Sequence, residues 1–142
     1  MFKHLMLFIS LFPTLAIAAF TPPITILLDH RNLEVRANAG FTSTTEWMIR
    51  IDTQQGVDQN GQAKLYFDGK RASQTVLEAY TIRPNGERVV VSPDRIKIRS
   101  DDADELAPYF SDDMVTVIIF PQVEVGSKLY YKVETKQNDP VI

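Results

Sequence analysis

The stretch QTVLEAYTIRPNGERVVVSPDRIKIRS, residues 74–100, decides the fold class of this chain. Gln74 to Arg83 reads as a strand, and Pro84-Asn85-Gly86 turns it, because proline fixes φ while asparagine and glycine accept left-handed geometry. Arg88 to Ser92 carries three consecutive valines, so the two runs form a hairpin. Pro93-Asp94 breaks the second run. Arg95, Lys97 and Arg99 then alternate with Ile96 and Ile98, which predicts a strand with one basic face at the edge of a sheet, where alternating charge discourages pairing with another chain.

The same spacing of two extends in both directions. Ile24, Ile26 and Leu28 share one face of a first strand, Asp29-His30-Arg31-Asn32 reads as a polar turn, and Leu33, Val35 and Ala37 share a face of a second strand. Thr45, Trp47, Ile49 and Ile51 point one way against Glu46, Met48 and Arg50, which makes Trp47 a core anchor. Asp52 to Gln62 reads as a loop, with Asn60-Gly61 suited to positive φ, and leads into a short strand over Ala63 to Phe67 closed by Asp68-Gly69. Residues 101–113, DDADELAPYFSDD, read as a solvated acidic loop with one helical turn capped by Ser100. Met114 to Phe120 is apolar almost throughout, as a strand covered on both faces would be, and Phe120 joins Trp47 as an anchor. Pro121 to Gly126 turns the chain, and Leu129, Tyr131 and Val133 alternate with Lys128, Lys132 and Glu134 in a last strand. The expectation is an all-β domain over residues 19–142, a predominantly antiparallel two-sheet sandwich of about nine short strands, with Gly86 and Gly126 in tight turns.

Residues 1–18 stand apart from this pattern. Lys3 and His4 precede an apolar run from Leu5 to Ala18 that is interrupted by Pro13 and ends in the small residues Ala16 and Ala18. That is a cleavable signal peptide, shorter than the roughly 18 to 20 apolar residues that span a bilayer. The mature protein is expected to be periplasmic or secreted, with no membrane span once the leader is removed.

Composition narrows the chemistry. Fifteen Lys and Arg against eighteen Asp and Glu give a net charge of −3, so no concentrated basic surface suggests nucleic acid as a partner. With no cysteine in the chain, thiolate nucleophiles, disulfides, a lipid-modified cysteine and thiolate-held metals are excluded. Of its two histidines, His4 leaves with the leader, which leaves His30 alone. A Ser-His-Asp triad or a histidine-rich zinc site has nothing to build on. Carboxylate pairs such as Asp101 with Asp104, or Asp112 with Asp113, have the residue types for acid and base work or for calcium, but their spacing is not diagnostic. The nearest EF-hand match, Asp58-Gln59-Asn60-Gly61, needs an acid at Gly56 and a glutamate at Phe67. No catalytic, cofactor-binding or metal-binding residue is therefore assigned, and no cofactor is expected. The candidate ligand or partner face consists of Tyr130 and Tyr131, whose rings suit sugar stacking, with the basic residues Arg95, Lys97 and Arg99; Tyr66, Tyr80 and Tyr109 complete the aromatic set.

LYFDGKRASQTVLEAYTIRPNGERVVV from Leu65, the acidic stretch after it, and VTVIIFPQVEVGSKLYYKVE up to Glu134 carry a family likeness. In the Ala79-Tyr80-Thr81 strand before Pro84-Asn85-Gly86, and in Phe120-Pro121-x-Val123-x-Val125-Gly126-Ser127 before a tyrosine-rich strand, the chain resembles the domain of unknown function (DUF3857) found ahead of transglutaminase-like domains in exported bacterial proteins. The resemblance implies a β-rich module that accompanies or positions a papain-like catalytic domain, in cis beyond Ile142 or in trans. The Cys-His-Asp set belongs to that neighbouring domain and has no counterpart among these residues, so the module is expected not to be an enzyme. The alternative is a periplasmic glycan- or peptide-binding module, using the tyrosines or an exposed strand edge. An enzyme built on the paired carboxylates is a third reading.

Overall fold

In the computed structural model, which describes residues 19–101 and 112–138, eight strands form two antiparallel sheets. The strands are β1 (Ile24–Val35), β2 (Phe41–Ile51), β3 (Gln62–Asp68), β4 (Ala72–Ile82), β5 (Arg88–Val90), β6 (Ile96–Ser100), β7 (Asp113–Ile119) and β8 (Lys128–Gln137), with one short helix, α1 (Gln54–Asn60), between β2 and β3. The larger sheet has the order β1-β2-β8-β4-β5 and the smaller β3-β7-β6. The two-sheet antiparallel sandwich expected from the period-two pattern is the fold.

The chain changes sheet after α1, again after Asp68, again through a 3-10 turn at Pro93–Arg95, and finally after β7. The last strand, β8, is thereby the middle of the larger sheet, between β2 and β4. Its alternation sets the two faces. Leu129 and Val133 are buried with Ile49, Ile51 and Ala79 from the larger sheet and with Ile118 and Phe120 from the smaller. Trp47 is half-buried and packs on the edge of this cluster rather than at its centre. β7 is buried on both faces over Val115, Thr116, Val117 and Ile118, as its apolar run requires in the middle of the smaller sheet.

Two local readings are corrected. Asp29-His30-Arg31-Asn32 is not a turn: β1 runs through it as one twelve-residue strand, paired residue for residue with Thr44 to Trp47. An edge strand exposed on both faces tolerates polar side chains anywhere, and the serine- and threonine-rich strand opposite supplies the pairing. The turn comes at Arg36 to Gly40, where Ala39 takes φ 62° and the Arg36 amide donates to the Gly40 carbonyl at 2.8 Å. One strand thus replaces two, and eight rather than nine are present among the described residues.

The second correction is α1, which lies in the supposed loop. Thr53 caps it, its hydroxyl accepting from the Gly56 amide at 3.2 Å, and Val57 packs against the core. Gly61 closes the helix in right-handed geometry, φ −62°, not at positive φ. The two turn glycines do adopt positive φ, 86° at Gly86 and 91° at Gly126. The expected acidic loop and its helical turn fall largely outside the described residues, as does the leader. No helix among the described residues is long and apolar enough to cross a membrane.

Candidate functional site

β8 presents a different chemistry on each face of the larger sheet. On the outer face Tyr130, only 7% exposed, stacks on Tyr80 with ring centroids 4.7 Å apart. The Arg88 guanidinium lies 3.7 Å from the centre of the Tyr80 ring and also pairs with Glu78. One row further along, His30, Glu46, Lys132 and Glu78 follow one another across β1, β2, β8 and β4. Lys132 Nζ sits 2.7 Å from Glu46 Oε1, which holds the carboxyl below its ordinary range and raises the ammonium above its own. This face is an aromatic stack beside a row of neutralised charge.

The inner face is covered only in part, because the smaller sheet has three strands to cover five. Between β3, which is an edge strand, and the inner face of β1, β2, β8 and β4 lies an open cleft of about 380 Å³. Register explains its walls. Ser43 pairs with Thr135 and Thr135 with Gln74, while Arg31 pairs with Thr45 and Thr45 with Val133, so these side chains stand in adjacent rows. Tyr131 stands one row along, tilted against Trp47 at 5.6 Å, and β3 contributes Lys64, Leu65 and Tyr66. Burial, together with the charge of Asp29, raises the Tyr131 phenol above its ordinary value, so it is a neutral donor at physiological pH.

The residues named from sequence are dispersed. Tyr130 is beneath the outer face, Tyr131 in the cleft, and Lys97 and Arg99 are exposed on β6 of the other sheet, with Arg95 in the 3-10 turn before it. β6 is an edge strand, as its alternating charge predicts. Tyr66 is 59% exposed on β3 and Tyr80 belongs to the outer stack, while Tyr109 lies outside the described residues. His30 is exposed on β1. Asp112 is engaged by Lys70 at 2.6 Å, and among the described residues no group of three His, Asp or Glu side chains converges as a metal cluster. Sequence reading missed Arg31, Ser43, Thr45, Lys64, Gln74 and Thr135. The available signal was Ser43 and Thr45 at the same parity as Trp47, small hydroxyls where a covered strand would carry apolar residues.

Comparison with known proteins places this geometry. The chain superposes on a crystal structure described as "a putative protease from Parabacteroides distasonis" with TM-score 0.75 and 11% sequence identity, over 82% of this chain and 23% of that one. At that identity the likeness is one of fold, and this chain spans less than a quarter of the longer protein. No protein of curated function matches it. The family described as "Domain of Unknown Function with solved-structure structure" matches residues 37–142, from the turn after β1 onward. With three quarters of its length matched in this way, the chain belongs to the DUF3857 family.

Proposed function

We propose that this chain is an exported, non-catalytic module that accompanies and positions a transglutaminase-like domain, in the same polypeptide or supplied by another. The observation that carries this reading is the superposition of 82% of the chain onto 23% of a much longer protein described as "a putative protease", which is how a module within a larger machine behaves. The chemistry agrees: the chain has no cysteine, and its one histidine after the leader stands exposed on an edge strand.

The surface best suited to seat another domain is β1, where Ile26, Leu33 and Val35 are 57%, 56% and 68% exposed on a strand with one edge unpaired among the described residues. The leader over residues 1–18 directs the chain to the periplasm or the exterior.

The test has two arms. The purified chain, assayed on peptide substrates for hydrolysis and crosslinking, is expected to be inert; turnover abolished by a substitution within the chain overturns the reading. Intact-mass analysis of the envelope fraction is expected to find the chain without residues 1–18, covalently continuous with a transglutaminase-like domain or co-purifying with one. Recovery from the cytoplasm with the leader intact and no such partner overturns it.

A further inference from the structure

We propose that the cleft between β3 and the inner face of the larger sheet binds an acidic saccharide, a sugar unit that carries a carboxylate. At about 380 Å³ the cleft falls within the range of small-molecule sites, about 300–1,000 Å³. The charged side chains that line it are both basic, with Asp29 standing beside the lining in the row of Tyr131. Arg31 and Lys64 both line it, neither makes an ion pair or side-chain hydrogen bond among the described residues, and no lining residue is an aspartate or glutamate. Most other cations near the larger sheet are spoken for: Arg50 by Asp52, Arg83 by Glu87 and Glu124, Arg88 by Glu78 and Lys132 by Glu46. Two unpaired cations at one concavity attract an anion, and a guanidinium beside an ammonium suits a carboxylate.

The remaining wall selects hydroxyls. Ser43, Thr45, Thr135 and Tyr131 each offer an O–H that donates and accepts, the pattern that matches sugar hydroxyls. Gln74 supplies a separate observation. Its amide nitrogen donates to Thr135 Oγ1 at 3.2 Å, its carbonyl oxygen is buried without a donor among the described residues, and the side chain borders this cleft and two neighbouring cavities. Turning the amide over exchanges the two atoms and still leaves one end unpaired. A buried amide end without a partner is costly, and rotation of the side chain into the cleft would let a ligand hydroxyl, able to donate or accept, satisfy it in either orientation. Tyr66 and Tyr131 add ring faces against which the C–H face of a sugar can lie. An acidic peptide brings a carboxylate but few hydroxyls to a wall built largely of them. The proposal is independent of the accessory-module reading, and either can fail alone.

The experiment is calorimetric titration of the whole chain at low ionic strength with a galacturonic acid trisaccharide, a neutral galactose trisaccharide and an acetylated Asp-Glu dipeptide. The expected result is saturable binding of the acidic trisaccharide, with the neutral sugar and the dipeptide each weaker by about tenfold or more. The Arg31→Ala/Lys64→Ala double variant and Gln74→Glu, which keeps the shape and adds a negative charge, are each expected to weaken binding by at least about tenfold, while Lys97→Ala on the other sheet leaves it unchanged. Thermal melting verifies each fold; if the double variant does not fold, Gln74→Glu decides alone. The proposal is overturned by absence of binding, by equal binding of the neutral sugar, by tighter binding of the dipeptide, or by a folded Gln74→Glu that binds like the parent.

Discussion

Tyr130 and Tyr131 are consecutive in the central strand and stand on opposite faces of the larger sheet: Tyr130 stacks on Tyr80 at 4.7 Å, and Tyr131 tilts against Trp47 at 5.6 Å on the side of the cleft. Successive side chains of a strand alternate, so no single flat platform includes both rings. Desolvation raises both phenols above their ordinary value, which keeps both hydroxyls protonated at neutral pH. One tyrosine is a structural element of the outer face and the other a wall of the cleft.

Replacing Tyr130 by Ala should therefore cost more stability than replacing Tyr131. Tyr130 is 7% exposed and its ring is held by Tyr80, so its truncation is expected to lower the unfolding free energy by about 3 kcal/mol, read from urea denaturation. Tyr131 is only half-buried, and its loss is expected to be milder. Equal destabilisation by the two would show that the sheet's faces do not differ in packing as described.

How far the fold was legible depends on whether side chains or chain partners decided each element. The hairpin at Pro84-Asn85-Gly86, the buried run of β7 and the edge position of β6 follow from local chemistry, and all three are present. β1 was misread because its polar centre looks like a turn, whereas a strand with both faces in solvent has no pattern to display; only its pairing with β2 defines it. α1 has seven residues and a single apolar side chain packed on the core, Val57, too little for a helical period. The cleft left one local trace, the hydroxyls of Ser43 and Thr45 at the parity of Trp47. It arises because three strands cover five, a mismatch set by strand pairing across the whole chain rather than by any one segment.

Gly56 tests the importance of α1. Alanine in a helix is ordinarily better than glycine by about 1 kcal/mol. Here a Cβ would overlap the Pro23 carbonyl oxygen, which accepts from the Asp52 amide at 3.0 Å and anchors the start of β1. The sign should reverse: Gly56→Ala is expected to lower the melting temperature. Among the turn glycines, Gly126→Ala should cost more than Gly86→Ala. Both pay about 1–2 kcal/mol for a left-handed residue, but a Cβ at Gly126 comes within 3.3 Å of Pro84, while Gly86 faces open space. A Gly56→Ala protein that melts higher than its parent would remove this account of the helix.

Acid sensitivity should be traceable to Asp52. Arg50 donates to its carboxylate at 2.6 Å and the Thr25 hydroxyl donates as well, joining the start of β1 to the end of β2 and holding the carboxyl below its ordinary value of 3.8. A carboxyl depressed in the folded state stabilises fully above its unfolded value and loses that contribution as pH falls through the lower folded value. Asp52→Asn is thus expected to be less stable than the parent at neutral pH and to converge with it as pH falls through the lowered folded value, shown by chemical denaturation across the acid range. A constant difference between the two at every pH would mean that Asp52 acts through hydrogen bonding alone.

The last test reaches into the sandwich. Thr81 and Thr116 are fully buried, one on β4 and the other on β7, and neither hydroxyl has a hydrogen-bond partner among the described residues. Register places Thr81 opposite the buried Leu129, and Thr116 between Leu65 of β3 and Ile98 of β6. A hydroxyl in such a place keeps its desolvation penalty with no bond to offset it, whereas valine has nearly the same shape and no polar atom to bury. Thr81→Val and Thr116→Val are each expected to stabilise the protein, by about 1 kcal/mol, and to add in the double variant if the two sites are independent. Destabilisation by either would mean that its hydroxyl is paired in solution, and a buried water would be the partner to seek.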